Sequence, residues 1–186
     1  MSYRLSAALD FLGAAGALKD QYRSGFTQAG DPESVPAHTW RLALLAVVLA
    51  DEFEGIDLAR LLSLIVVHDL GETIHGDVPA IGRAPGFDKT AQERADMATL
   101  TEALPDDMRA RILDLWEEYE AAETPEAVIA KGLDKCETML THAEGKNPED
   151  FDYAWNLGYG NAATDAHPMV KAVRVLVDER TRGRMG

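Results

Sequence analysis

One cysteine, Cys136, occurs in 186 residues, so no disulfide can close within the chain, and nothing points to an oxidising compartment. Its neighbours Leu133, Met139 and Leu140 mark it as a small buried hydrophobe rather than a nucleophile. Positive charge is scarce too: 18 Lys and Arg stand against 32 Asp and Glu, a formal net charge of −14. Such a surface repels the phosphate backbone that a nucleic-acid binder must neutralise, which excludes a long duplex as partner. A small phosphorylated metabolite is compatible, provided that a metal ion or a well-placed Arg supplies positive charge inside its pocket. Long apolar runs are missing as well. The longest, Leu42 to Ala50, is too short to span a bilayer. The opening MSYRLSAALDF lacks the basic-then-apolar order of a signal peptide, so a cytoplasmic protein without membrane attachment is expected.

Alternating strand-like patterns, internal repeats and low-complexity segments are also absent. Apolar residues at helical spacing run through almost the whole sequence. With 46% hydrophobic and 27% charged residues, the composition is that of an ordinary globular protein, large enough for one core without staples. The expectation is an all-α single domain over residues 1–186. A first helix is placed at Ser6 to Tyr22, with Ala8, Leu9 and Leu12 on one face, and a loop at Gly25 to Glu33. Two central helices follow, about Pro36 to Glu52 and Leu58 to Asp69, opened by Pro36 in the first turn and by Asp57 as N-cap. Both are apolar nearly all round, which predicts burial on several sides. Residues 71–86, rich in Gly and Pro, read as loop with at most one helical turn, a candidate wall for a site. Further helices are expected at Lys89 to Ala103, Asp106 to Ala121, Pro125 to Glu144, Phe151 to Asn161 and Pro168 to Arg180. The stripe Met108, Ile112, Leu115, Trp116 and Tyr119 reads as core, as do Trp40 and Trp155.

Histidine is sparse, with five in the chain, yet two fall where an apolar helix offers them no partner. His38 lies in the first turn of one central helix and His68 ends the next, followed at once by Asp69. An imidazole and a carboxylate set about 100° apart at a buried helix end need hydrogen bonds or a metal to offset their desolvation. Asp134 sits inside a later helix, where Ala130 and Ala127, about one and two turns earlier, predict space beside its carboxylate. Two imidazoles and two carboxylates form a nitrogen and oxygen set suited to Mn, Fe, Co, Ni or Zn rather than to a soft-metal site. Taken singly, each of these residues is more often a satisfied core or capping group than a ligand, and spacing alone does not establish a metal site.

The run Glu33-Ser-Val-Pro-Ala-His38, the run Val67-His-Asp-Leu-Gly-Glu-Thr-Ile-His-Gly-Asp-Val-Pro79 and the run Leu133-Asp-Lys-Cys-Glu137 together resemble the HD-domain metal-dependent phosphohydrolases, in particular their 5′-deoxynucleotidase branch. The segment LPDDMRARILDLWEEY, Leu104 to Tyr119, is similar to the same branch, and the likeness spans about residues 9–178. The resemblance implies an HD-domain helical bundle and a metal-dependent phosphomonoesterase acting on nucleoside or deoxynucleoside 5′-monophosphates. It implies a divalent cation, Mn, Co, Fe, Ni, Zn or Mg, held by His38, His68, Asp69 and Asp134. Glu72 and Asp77 match the acidic pair near the attacking water, and Arg23 matches the arginine that holds the substrate phosphate. The nucleotide would contact Arg23, Ser24, His38, Asp69 and Asp134, together with the loop Asp77, Val78, Pro79 and Ala80. A homodimer is implied as well.

One departure bears on specificity. Where bacterial members set a Trp beside the phosphate-binding Arg to crowd the sugar, Ser24 follows Arg23 here. A small Ser does not reject a 2′-hydroxyl by bulk, so ribose and deoxyribose both stay open. Outside the motifs, His75 reads as a partly exposed loop residue, and His142 and His167 as surface or capping groups. The competing readings are a nucleotide-binding regulator with little turnover, a phosphodiesterase or triphosphohydrolase on a larger nucleotide, and a diiron oxygenase, which needs more histidine ligands than can be placed.

Overall fold

The computed structural model describes residues 2–81, 83–84 and 86–185. In chain order it runs α1 (Ser2–Ala15), β1 (Tyr22–Phe26), β2 (Pro32–Ser34), α2 (Val35–Val48), α3 (Leu58–Val67), α4 (Lys89–Leu100), α5 (Asp106–Ala121), α6 (Pro125–Glu144), α7 (Tyr153–Gly158), α8 (Asn161–Thr164) and α9 (Pro168–Arg182), with short 3₁₀ turns at Gly16–Asp20, Ala50–Glu52 and Leu70–Glu72. The all-α expectation holds apart from one small antiparallel hairpin, β1–β2. The local chemistry of the helix starts is legible: Asp57, Asp88, Thr124, Asp152 and His167 each accept a backbone N–H from the first turn of the helix that follows. The capping expectation for His167 is thereby met.

Helix α6 runs through the middle, with α2, α3, α5 and α9 packed against it. Leu42 and Ala46 of α2, Leu61, Leu64 and Ile65 of α3, and Leu133 and Cys136 of α6 meet in one closed core. The sequence placed α2 and α3 at the centre; the most enclosed helix is instead α6, along which thirteen residues are buried. Its sequence hides this, because Asp134, Glu137, Thr138, Thr141 and His142 are among the buried ones. Conversely α2 is not buried all round. Trp40, read as core, is 67% exposed, and Leu44, Val47 and Val48 lie open on the same side.

Three further expectations are corrected. Residues 22–34, placed partly in a helix and partly in a loop, form the hairpin, whose strands lack an apolar alternation and hold because β1 lies against α6. A Cβ on Gly25 would come within 2.7 Å of the Thr141 methyl, so only glycine permits this approach without displacing that side chain. The first helix stops at Ala15, and Leu9 and Leu12 point outward rather than into the core. The segment expected as one helix from Phe151 to Asn161 divides into α7 and α8 at Gly160, which has φ of +68°. Residues 73–81 are loop as expected; Gly82 and Pro85 of that stretch lie outside the described residues.

Candidate metal centre and substrate cavity

His38, on the first turn of α2, His68, just past α3, and Asp69 bring one ligand atom each to within 4.8 Å of one another. Asp134 joins them from α6, with Oδ1 at 3.2 Å from His38 Nε2. Each imidazole is oriented from behind. His68 Nδ1 lies 2.7 Å from the Ile65 carbonyl, and His38 Nδ1 meets the buried carboxylate of Glu137. Both nitrogens donate there, which leaves each Nε2 lone pair facing the cluster. Glu137 is itself held by the Thr141 hydroxyl at 2.9 Å. On Asp134, Oδ2 accepts from Tyr119 at 2.9 Å and from Lys135 at 2.7 Å. Its Oδ1 is left over.

The three leftover atoms, His38 Nε2, His68 Nε2 and Asp134 Oδ1, are all buried without a hydrogen-bond partner. His68 Nε2 lies 3.1 Å from Asp69 Oδ2, as close as His38 Nε2 lies to Asp134. A lone pair does not face a carboxylate oxygen at such distances without a cation between them. A proton answers the need at one site: burial and Arg23 oppose charge on His38, but Glu137 and Asp134 outweigh them and raise its pKa to about 9. One divalent ion would answer it at all three atoms and replace that proton. The donor set therefore fits a metal.

Around this cluster the charge is balanced by cations. Arg23, on β1, places Nη1 at 3.1 Å from Asp69 Oδ2 and Nη2 at 2.8 Å from the Thr138 hydroxyl. Burial opposes its charge, and Asp69 and then Asp134 more than compensate. Burial likewise works against the ionised Asp69, yet His68 and Arg23 hold its pKa well below the usual carboxylate range. Consecutive residues of a regular strand point to opposite faces. The pairing of β1 with β2 is irregular between Tyr22 and Phe26, and both Arg23 and Ser24 border the same cavity.

Glu72, on the 3₁₀ turn after Asp69, is buried, with Oε2 unpartnered. Burial first, and then Asp69, push its pKa up to about 9, while Lys89 pulls the other way. Lys89 opens α4 and gathers three carboxylates: Nζ lies 2.7 Å from Glu72, 2.9 Å from Glu93 and 3.4 Å from Asp77. A cation at a helix N-terminus opposes the helix dipole, so its acidic partners, not the helix, account for its place. Gly71 makes the junction possible, since a Cβ there would meet the Glu93 Cβ at 2.8 Å.

A cavity of about 330 Å³ opens over these groups, large enough for a small ligand. Arg23, Ser24, His68, Asp69, Asp77 and Asp134 border it, as does the loop Val78, Pro79 and Ala80. His38 and Glu72 sit behind its wall and do not border it. The space beside Asp134 was expected on the Ala127 and Ala130 side. Both alanines are packed in the core, and along α6 the cavity is bordered by Lys131, Asp134, Lys135, Thr138 and His142 instead. His142, read as a surface or capping group, is 3% exposed, with Nε2 3.2 Å from the Ser24 hydroxyl and Nδ1 2.9 Å from Asn156 Oδ1. His75 is a half-exposed loop residue against Asp96, as expected. The groups that sequence reasoning missed, Lys89, Tyr119, Lys135, Glu137, Thr138 and His142, reach the site only through helix packing. A usable signal existed on α6 itself, where Glu137, Thr138 and His142 follow Asp134 by three, four and eight residues on one side of the helix.

Comparison with known proteins agrees with this geometry. The HD domain family matches residues 15–174, and the chain belongs to that family. The bovine (Bos taurus) 5′-deoxynucleotidase HDDC2 is 38% identical over 96% of this chain and 88% of its own, and the Dictyostelium discoideum protein of the same name is 32% identical over 94% and 98%. Among solved structures, a protein from Magnetospirillum magnetotacticum described as a predicted metal-dependent phosphohydrolase superposes with a TM-score of 0.79 at 29% identity, covering 97% of this chain and 96% of that one. Among the described residues no helix is long and apolar enough to cross a membrane.

Proposed function

We propose that the protein is a metal-dependent phosphomonoesterase that hydrolyses nucleoside or deoxynucleoside 5′-monophosphates to nucleoside and phosphate. The observation that carries this reading is the set of three buried, unpartnered ligand atoms, His38 Nε2, His68 Nε2 and Asp134 Oδ1, beside Arg23 at the floor of the cavity. The names of the HDDC2 relatives support the substrate class. His38, His68, Asp69 and Asp134 would hold one divalent ion, which supplies Lewis acidity and lowers the pKa of water. Arg23, with its fork of donors, binds the phosphoryl oxygens and neutralises charge that grows during attack. Water oxygen bonds to phosphorus, the bond to the 5′-oxygen breaks, and the leaving oxygen takes up a proton. Asp77, which borders the cavity, accepts or orients the proton of water, and Glu72 supports it from behind the wall through their shared partner Lys89. The loop Val78 to Ala80, which borders the cavity, contacts the nucleotide.

Phosphate release from a panel of ribo- and deoxynucleoside monophosphates tests the reading. Release from monophosphates in the metal-loaded protein is expected. Binding without release would favour a regulatory protein, and preferential cleavage of a phosphodiester or triphosphate would favour the larger-substrate enzymes. Because Ser24 is small, ribo- and deoxyribonucleotides are expected within about tenfold of each other.

Lys89 positions the acidic pair. Removing a cation from beside a carboxylate raises that carboxylate's pKa. In Lys89→Met the acid limb of the kcat/KM profile should therefore move to higher pH, by about one unit. An unmoved profile would remove Lys89 from the machinery. A cytoplasmic homodimer belongs to the same proposal. The open apolar side of α2, with Trp40, Leu44, Val47 and Val48, supports self-association, and a monomer mass by sedimentation at micromolar concentration would contradict it.

A further inference from the structure

Asp134, Thr138 and His142 stand on successive turns of α6, so the wall they form extends about 12 Å from the metal ligands to its far end. Its polar groups are already spoken for in order: Arg23 bonds Thr138, and Ser24 lies against His142. Phosphate therefore belongs at the Asp134 end, and what is attached to it extends toward His142. Trp155 of α7, next to the Asn156 that meets His142, and Tyr159, whose ring lies 5.7 Å from Lys135 Nζ, border the cavity, their rings stacked with centroids 4.5 Å apart and planes 24° from parallel. Resting on the phosphomonoesterase reading above, we propose that Trp155 and Tyr159 form the nucleobase platform, holding the base by stacking rather than by reading its edge.

The platform is rigid. Asp152 caps α7 by accepting the Trp155 N–H. Arg174, buried on α9, donates to the Tyr159 carbonyl at 2.7 Å and to those of Asn156 and Leu157 at 3.0 Å each. Three carbonyls within the five residues from Trp155 to Tyr159 are thus tied to α9. His142 is not free to read the base edge, because both its nitrogens are engaged, one by Asn156 and one by Ser24. Every base has a π-face, so stacking accepts all of them.

The test compares kcat/KM for dAMP and dCMP with that for 2-deoxyribose 5-phosphate, which has the phosphate and sugar but no base. In the wild type the nucleotides should be favoured, with dAMP and dCMP within a few-fold of each other. In Trp155→Ala that advantage should fall about tenfold or more through KM rather than kcat, while Trp155→Phe should keep most of it. An advantage unchanged in Trp155→Ala, or lost equally in Trp155→Phe, overturns the platform. Should the wild type release phosphate from none of these compounds, the hydrolytic reading is what falls. The platform is then judged by the calorimetric affinity for dAMP, where tenfold weaker binding in Trp155→Ala than in Trp155→Phe supports it and equal binding overturns it.

Discussion

His68→Ala loses the bound divalent metal and about a thousandfold or more of kcat/KM for a nucleoside monophosphate. The size of the effect follows from how few atoms the centre has. His68 Nε2 is one of three buried ligand atoms with no other partner, and its ring is fixed by the Ile65 carbonyl at 2.7 Å. No neighbouring imidazole can replace it: the His38 Nε2 lone pair already serves the same cluster, and His142 is engaged by Ser24 and Asn156. With the ring gone, Asp69 has Arg23 at 3.1 Å as its neutralising partner, which pulls the carboxylate away from ligation. Metal content by mass spectrometry and phosphate release should fall together. A folded variant that keeps its metal and its turnover would remove His68 from the ligand set.

Arg23→Lys is expected to lower kcat/KM by about a hundred- to a thousandfold, with metal content unchanged. The conservative charge is kept, so the loss isolates geometry. Arg23 reaches Asp69 with one nitrogen and Thr138 with the other, which aims a planar fork across the floor of the cavity beside the ligands. An ammonium on a flexible stem supplies a point charge but cannot span both partners or present two parallel donors to a phosphoryl group. The charge also has consequences beyond the substrate, because Arg23, after His68, helps hold Asp69 ionised against its burial. Lys should preserve that function, and for this reason the metal stays. Wild-type rates in Arg23→Lys would show that a simple positive charge suffices and that Arg23 is not the phosphate clamp.

The fold was legible where a rule acts locally. Asp57, Thr124 with Pro125, and His167 with Pro168 start helices where capping chemistry puts them, and the apolar stripe ending in Leu115, Trp116 and Tyr119 is buried as periodicity predicts. It was illegible where tertiary contact decides. The hairpin carrying Arg23 has no strand pattern of its own and exists because Gly25 lets it lie against α6. The most enclosed helix is the one whose sequence looks amphipathic, since its polar face turns inward to build the site. Trp40 and Leu9 read as core because apolar character alone does not say which side of a helix has a neighbour. As for the centre itself, spacing identified His68-Asp69 as an unsatisfied pair at a helix end, and the motifs tied His38 and Asp134 to it. Spacing set Glu137 and Lys135 beside Asp134, but it could not show that Glu137 lies behind His38, that Tyr119 bonds the outer oxygen of Asp134, or that Lys89 sits among Glu72, Asp77 and Glu93. Those partners come from helices up to about a hundred residues apart in sequence, so only packing brings them together.

The most direct test is a titration of divalent metal into chelator-stripped protein, with bound metal and phosphate release from a nucleoside 5′-monophosphate followed in the same samples. Activity absent from the stripped protein and rising in proportion to metal bound at His38, His68, Asp69 and Asp134 is the predicted result. Full turnover in the stripped protein, or a saturated metal site that releases no phosphate from any monophosphate, would contradict it.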